Sequence, residues 1–173
     1  GDAEIKPYDA LRLGGAAWTR ITARPCLSAS VVIDATMKPE LVARIGEGIL
    51  LRAYTFKKYQ TGKSSEAGDN TPSRHPSRID ILTSDPEAAS AAFEARAAVA
   101  DGVYMARDLM NEPANALGPL EFADAIVKLE IPGLEVEVLD AHSLQQLGMG
   151  ALLAVAQGSA REARVVVMQW NGS

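Results

Sequence analysis

One stretch divides this 173-residue chain in two. Ser84-Asp85-Pro86-Glu87 reads as a helix start. Ser84 or Asp85 can cap the first free N–H groups, Pro86 suits the first helical position and Glu87 places an acid in the first turn. The Ala-rich residues that follow keep a helical period to about Met110. Val99, Val103, Ala106 and Met110 form one stripe, and Phe93, Ala97, Ala100 and Tyr104 a neighbouring one. At the α-helical rise this helix spans about 36 Å, enough to connect two domains. It stops at Asn111-Glu112-Pro113, because a proline pushes the residue before it out of the helical region.

Ahead of that helix, residues 1–24 are mixed, and Gly14-Gly15 is expected to break any long element. Ser30-Val31-Val32-Ile33-Asp34 predicts a short buried strand. Pro39 then opens a helix to Leu51, with Leu41, Ile45, Gly48 and Ile49 at helical spacing. Gly46 and Gly48 each cost that helix about 1 kcal/mol relative to alanine, a cost that makes sense if another element packs closely there. Tyr54, Phe56 and Tyr59 follow, interleaved with Lys57 and Lys58, and residues 60–78 read as loop. From Lys57 to Arg78 five basic residues (Lys57, Lys58, Lys63, Arg74, Arg78) face two acidic ones (Glu66, Asp69), a surplus of +3. Lysines among aromatics can mean nucleic acid. The plainer reading is a helix end followed by a solvated loop, and the acidity of the wider chain favours it. Arg78 to Thr83 reads as a second short strand.

Beyond Pro113 the pattern changes. Gly118 to Val127 starts a new helix, Leu134 to Leu139 alternates as a strand does, and Ala141 to Leu147 is a short helix ended by Gly148. Ala151 to Ala156 is an apolar, strand-like run ending near Gly158, and Val165 to Trp170 is a near-continuous apolar strand. Helix and strand in alternation predict the start of an α/β domain whose sheet is covered on both faces. Two or three strands would leave wide apolar faces bare, so the second domain is expected to continue past Ser173.

Composition narrows the class. The hydrophobic share of 47% and charged share of 23% are those of an ordinary globular protein, which excludes disorder, collagen and coiled coil for the whole chain. No apolar run reaches the ~18 residues of a membrane span. With 17 Lys+Arg against 22 Asp+Glu the net charge is −5, unlike the basic domains that bind nucleic acid, so no nucleic-acid partner is expected. One cysteine, Cys26, forbids an intrachain disulfide and fits a reducing compartment. Gly1-Asp2-Ala3-Glu4 has neither the basic nor the apolar region of a signal peptide, and a cytoplasmic location is expected.

No catalytic constellation is assembled in these residues. His75 and His142 lie far apart, and neither has a ligand three or four positions on, so no metal motif is present. His75 is expected in a solvated loop. His142 is expected near a helix start that Asp140 caps. Nothing beside Cys26 would lower its thiol pKa as a nucleophile needs. Gly148-Met149-Gly150 and Gly158-Ser159 fit no phosphate-loop pattern. Gln157 to Arg161 reads as a tight turn between strand-like runs. Arg107-Asp108 reads as an end-of-helix cap and domain-junction contact.

Several segments, in order, resemble one family. Ala106-Arg107-Asp108-Leu109-Met110-Asn111-Glu112-Pro113-Ala114-Asn115 is similar to the segment that opens the catalytic domain of the leucyl (cytosol) aminopeptidases, and Gly118 to Ala123 takes the place of the next helix start. Leu134 to Leu139 resembles the family's next strand, and Leu147-Gly148-Met149-Gly150-Ala151-Leu152 its Leu-Gly-Met-Gly segment. Upstream, Glu47 to Tyr59 is similar to the last long helix of the family's N-terminal domain. The resemblance covers roughly residues 40–173.

The resemblance implies an α/β architecture in three parts: a small macro-like N-terminal domain over 1–84 without its beginning, a linker helix over 85–111, and over 112–173 the first part of an α/β/α catalytic domain with a mixed central sheet. It implies a peptide substrate, a homo-hexamer, and two divalent metal ions per complete subunit, Mn2+ or Zn2+. In the family these activate a bridging water for attack on the first peptide bond. The family's Gly-Lys-Gly, Asp-x-Gly-Gly and Asn-Thr-Asp-Ala-Glu-Gly-Arg segments, which carry the metal and catalytic residues, do not occur here. No catalytic or metal-binding role therefore passes to any residue of this chain, Asp108, Glu112 and Asp140 included, no substrate-binding residue is assigned, and the chain alone is expected to be inactive. The alternative is a non-enzymatic module binding a nucleotide or nucleic acid through the N-terminal domain.

Overall fold

In a computed structural model, residues 5–33, 37–60 and 75–172 are described. The chain forms two compact units, Gly1–Asp108 and Leu109–Ser173. Both are α/β, the first with a parallel and the second with an antiparallel pair of strands. No helix of the described residues is long and apolar enough to cross a membrane.

The first unit opens with α1 (Pro7–Ile21), which runs straight through Gly14-Gly15. The expected break does not occur, and the reason is packing. α1 lies against α2 (Pro39–Ala53), and the two backbones touch at their glycines. A Cβ on Gly14 would overlap the Ile45 carbonyl, 2.9 Å from its carbon, and one on Gly48 would overlap the Leu11 carbonyl, 3.0 Å from its carbon. Two glycine penalties of about 1 kcal/mol are accepted because only glycine lets the helices approach this closely. Gly46 does the same for Phe93, whose ring edge lies 2.7 Å from where its Cβ would be. Ala10, Ile45 and Ile49 form the centre of the core, with Trp18, Val31 and Ile81 packed around them.

Strands β1 (Ser28–Val32) and β2 (Arg78–Leu82) pair in parallel, Ser28 opposite Arg78 and Val32 opposite Leu82, with α2 in the crossover. β1 starts two residues earlier than its apolar run suggests, and Asp34 lies outside the described residues. Its register follows β2: the Ser77 N–H donates to Leu27 O (3.0 Å) and the Ile33 N–H to Leu82 O (2.9 Å). The strand alternates exposed Ser28 and Ser30 with half-buried Ala29 and Val31, and Val32 is 76% exposed, so it is not the fully buried strand expected.

α3 (Pro86–Asn111) has Asp85 as its cap, accepting from the Ala88 N–H at 3.0 Å. Of its two stripes, the one through Phe93, Ala100 and Tyr104 faces inward, with Ala100 buried, whereas Val99 and Met110 on the other are exposed. α2 ends at Ala53, so Tyr54 to Tyr59 are not helical as the resemblance suggested; Tyr54 turns to an extended ψ of 132°.

In the second unit α4 (Pro119–Val127) precedes β3 (Leu134–Leu139), the short helices α5 (Ala141–Gln146) and α6 (Gly150–Ala156), and β4 (Val165–Trp170). The run Ala151–Ala156 is therefore a helix, not a strand. Its alanines and leucines are strong helix formers, and a short apolar run does not by itself distinguish the two states. β3 and β4 are antiparallel, Leu134 opposite Trp170 and Leu139 opposite Val165. Ala123 and Ile126 of α4 and Leu144 of α5 are buried, yet Val167, Met168 and Trp170 of β4 are exposed. Among the described residues this sheet is not covered on both faces. Gly133 has φ +77°, and a side chain there would overlap the Gly172 carbonyl, 2.9 Å from its carbon. That turn is tied to the end of β4 by the Asn171 N–H on Gly133 O (2.9 Å) and the Trp170 indole on Pro132 O (3.3 Å).

Candidate functional site

The sequence offered Arg107-Asp108 as a cap, and the structure shows which helix is capped. The last carbonyls of α2 have no partner within the helix. The Tyr104 hydroxyl donates to Leu50 O, and the Arg107 Nη1 to Leu51 O at 2.7 Å. The Arg107 guanidinium also lies 5.3 Å from the centre of the Tyr54 ring. Tyr54 packs edge-on against Tyr104 at 5.2 Å and donates its hydroxyl to Asp108 Oδ1 at 2.8 Å. Four side chains thus lock the end of α2 to α3, with a cation where the helix dipole is negative. Burial pushes the Tyr104 phenol above its ordinary pKa, and Asp101 adds to this, against the opposing effect of Arg107. Elsewhere on α2 the buried carboxylate of Glu47 is paired with Arg44 at 2.9 Å.

The second unit has its own polar cluster. Glu121, in the first turn of α4, accepts the Gly118 N–H at 2.9 Å. Arg161 reaches Glu121 at 3.2 Å and the Asn115 carbonyl at 3.0 Å, which pins the loop after Pro113 to the turn before β4. Asp140 caps α5 through the Ser143 N–H at 2.8 Å, as the sequence indicates. Backbone N–H groups, its own and that of Gly118, and then Arg161 hold the Glu121 carboxyl below its ordinary value. The Ser143 N–H and hydroxyl, and then Arg164 and His142, do the same for Asp140.

A lowered carboxylate pKa in the fold means that the unfolded chain takes up protons first as the pH drops. The stability contributed is present above the ordinary values of 4.5 and 3.8 and is lost as pH falls through the lower folded values. The melting temperature should therefore be flat between pH 8 and 6 with respect to these two groups and fall below about pH 4.5. Thermal melts of Glu121→Gln and Asp140→Asn across that range test this. Each variant should show a shallower acid limb than the parent, and an unchanged limb would mean that neither cap is linked to folding.

The other sequence candidates are not brought together. His75 is exposed, as expected of a loop, but its ring is stacked on Trp18, 5.6 Å away and 9° from parallel. His142 sits in the first turn of α5, 2.9 Å from the Gln146 amide. Cys26 is half-buried, with its thiol 3.8 Å from Ile21 O. Of the basic segment, Lys57, Lys58 and Arg78 are described and residues 61–74 lie outside the described residues. Lys58 lies 5.6 Å from the Tyr59 ring centre, and Arg78 is paired with Asp80 at 2.8 Å. Among the described residues no three His, Cys, Asp or Glu side chains are grouped as a metal ion requires.

The fold and its capping clusters define a two-unit α/β protein whose second unit begins at the end of a long helix. Residues 104–173 match the cytosol aminopeptidase family, catalytic domain. The chain is 45% identical over 166 residues to a probable cytosol aminopeptidase of Brucella anthropi, covering 95% of this chain and 33% of that protein. It is 46% identical over 173 residues to a probable cytosol aminopeptidase of Rhizobium johnstonii, covering 98% and 34%. Among solved structures, the bottromycin maturation enzyme BotP in complex with Mn is similar with a TM-score of 0.72 and 26% identity, over 92% of this chain and 33% of that one. The chain belongs to the cytosol aminopeptidase family, and it spans about a third of the length of the curated relatives it matches.

Proposed function

We propose that the protein is an aminopeptidase that releases N-terminal residues from peptides, and that this chain supplies its N-terminal domain (1–84), linker helix (85–111) and the front of its catalytic domain (112–173). The observation that carries this reading is the match of residues 104–173 to the family's catalytic domain. Identity of 45% over 95% of the chain to a probable cytosol aminopeptidase supports it. Dependence on divalent metal is part of the proposal, and the manganese named for BotP supports it. The family segments that carry the metal and catalytic residues do not occur in this sequence, so on this reading those residues lie beyond Ser173 and the chain alone is inactive. What these residues supply is the frame: Arg107 and Tyr104 fix α3 to α2, and Arg161 fixes the loop that leads into α4. A cytoplasmic location and a hexameric assembly belong to the same proposal.

The test combines an intact mass with leucyl-anilide cleavage, with and without manganese. Metal-dependent cleavage by a protein well above 18.3 kDa is the expected result. Absence of cleavage with any divalent metal would sink the aminopeptidase reading. Cleavage by the 173-residue chain itself would overturn the placement of the catalytic residues beyond it.

A further inference from the structure

Beside the capped end of α2, three arginines from three helices line one shallow groove of about 480 Å3. Arg12 comes from α1, Arg52 from α2 and Arg107 from α3, with Tyr8 and Tyr54 between them and no carboxylate among the described residues of the lining. In a chain with 22 acidic and 17 basic residues, composition alone does not lead one to expect such a wall.

Capping explains only part of it. The end of a helix carries about half a negative charge, which one guanidinium satisfies. Arg107 is that one, through its 2.7 Å bond to Leu51 O. Asp108, the acid nearest in sequence to Arg107, receives the Tyr54 hydroxyl, and Asp101 on the same helix acts on Tyr104. Arg12 and Arg52 are exposed, and no ion pair among the described residues engages either. Two of the three guanidinium groups are also held in place. Arg107 sits 5.3 Å from the Tyr54 ring centre and Arg12 6.0 Å from that of Tyr8. A planar fork already resting on an aromatic face loses less freedom when it takes up an anion.

The geometry points to an oxyanion subsite in this groove, one that takes a phosphate-bearing small molecule. Arg12 and Arg52 are the forks that engage the phosphate, and Arg107 is the fixed third charge. Phosphate is favoured over carboxylate on chemistry. A carboxylate offers two oxygens and one charge, enough for a single fork. A phosphate monoester offers three acceptor oxygens and a charge of about −2, which suits several guanidinium groups converging from different helices.

The probes are inorganic phosphate and pyrophosphate, titrated into the 173-residue chain against sodium chloride at matched ionic strength, with the melting temperature as readout. A saturable rise with pyrophosphate and none with chloride is expected. Arg12→Ala and Arg52→Ala change exposed side chains and should leave the melt without ligand unchanged. Each should raise the apparent dissociation constant about tenfold or more, the worth of a charge-assisted hydrogen bond. Arg52→Lys, which keeps the charge but loses the fork, should fall between parent and Arg52→Ala. Equal shifts in parent and variants, or equal shifts with chloride, would reduce the groove to general ion screening and overturn the proposal. So would binding of a duplex oligonucleotide, lost in the same variants, without any response to pyrophosphate, since the surface would then serve a polymer backbone.

Discussion

Gly14→Ala and Gly48→Ala are each expected to cost the first unit about 3 kcal/mol or more, or to prevent its folding. Neither clash is with a flexible side chain. Each new methyl group would overlap a backbone carbonyl of the facing helix, that of Ile45 for Gly14 and that of Leu11 for Gly48. A side-chain tip could rotate away, but a helix backbone can only be pushed back as a whole, which opens the core around Ala10, Ile45 and Ile49. Gly15 supplies the control. Its Cβ would meet nothing nearer than 3.9 Å, so Gly15→Ala should gain up to about 1 kcal/mol from helix propensity. Urea unfolding of the three variants separates close approach from propensity. If Gly14→Ala unfolds at the same midpoint as Gly15→Ala, the backbone contact is not what joins these helices. The double variant should cost less than the sum of the singles, because the first substitution already moves the helices apart.

The second unit should respond most to Leu144→Ala. Leu144 is its largest fully buried side chain, with no exposed surface. Its backbone also sits at the hinge of the segment, its N–H donating to Asp140 O at 2.9 Å and its carbonyl accepting from Met149 at 3.0 Å. Truncation to alanine removes apolar contact and leaves a cavity, for an expected loss of about 2–5 kcal/mol. Leu144→Met, which keeps the volume, should lose less than about 1.5 kcal/mol. Residue-resolved amide hydrogen exchange is the appropriate measurement, because protection should fall along α5 and β3 while α1 and α2 keep theirs. A Leu144→Ala loss below about 1 kcal/mol would mean that this unit collapses around the gap and has no fixed core at α5.

Much of this architecture is legible in the residues, and the failures share one cause. Pro86 after Asp85, Pro39, and Asp140 ahead of Ser143 are local signals, and each marks a helix start that the structure contains. The alternation of Leu134 to Leu139 is equally local and gives a strand over those same residues. The misreadings fall where a local rule is overruled from elsewhere in the chain. Gly14-Gly15 looks like a breaker until α2 lies against it. β1 is displaced by two residues because its register is set by β2, some fifty positions away. Ala151–Ala156 has the apolar run of a strand and the composition of a helix, and helix propensity prevails. His75 reads as a loop histidine, and only the fold reveals that Trp18 stacks beneath it.

The candidate groove was beyond the sequence for the same reason. Arg12, Arg52 and Arg107 are separated by 40 and 55 positions, and no motif links them. Their meeting depends on α1 and α2 packing at their glycines and on Arg107 and Tyr104 reaching across to the end of α2. By itself the sequence determined the class of the chain, the order of most elements and the family, because composition, caps, periodicity and short ordered motifs are properties of neighbouring residues. The tertiary structure decided which helix Arg107 caps, which glycines are needed and where three arginines converge, because those depend on which distant backbones come into contact.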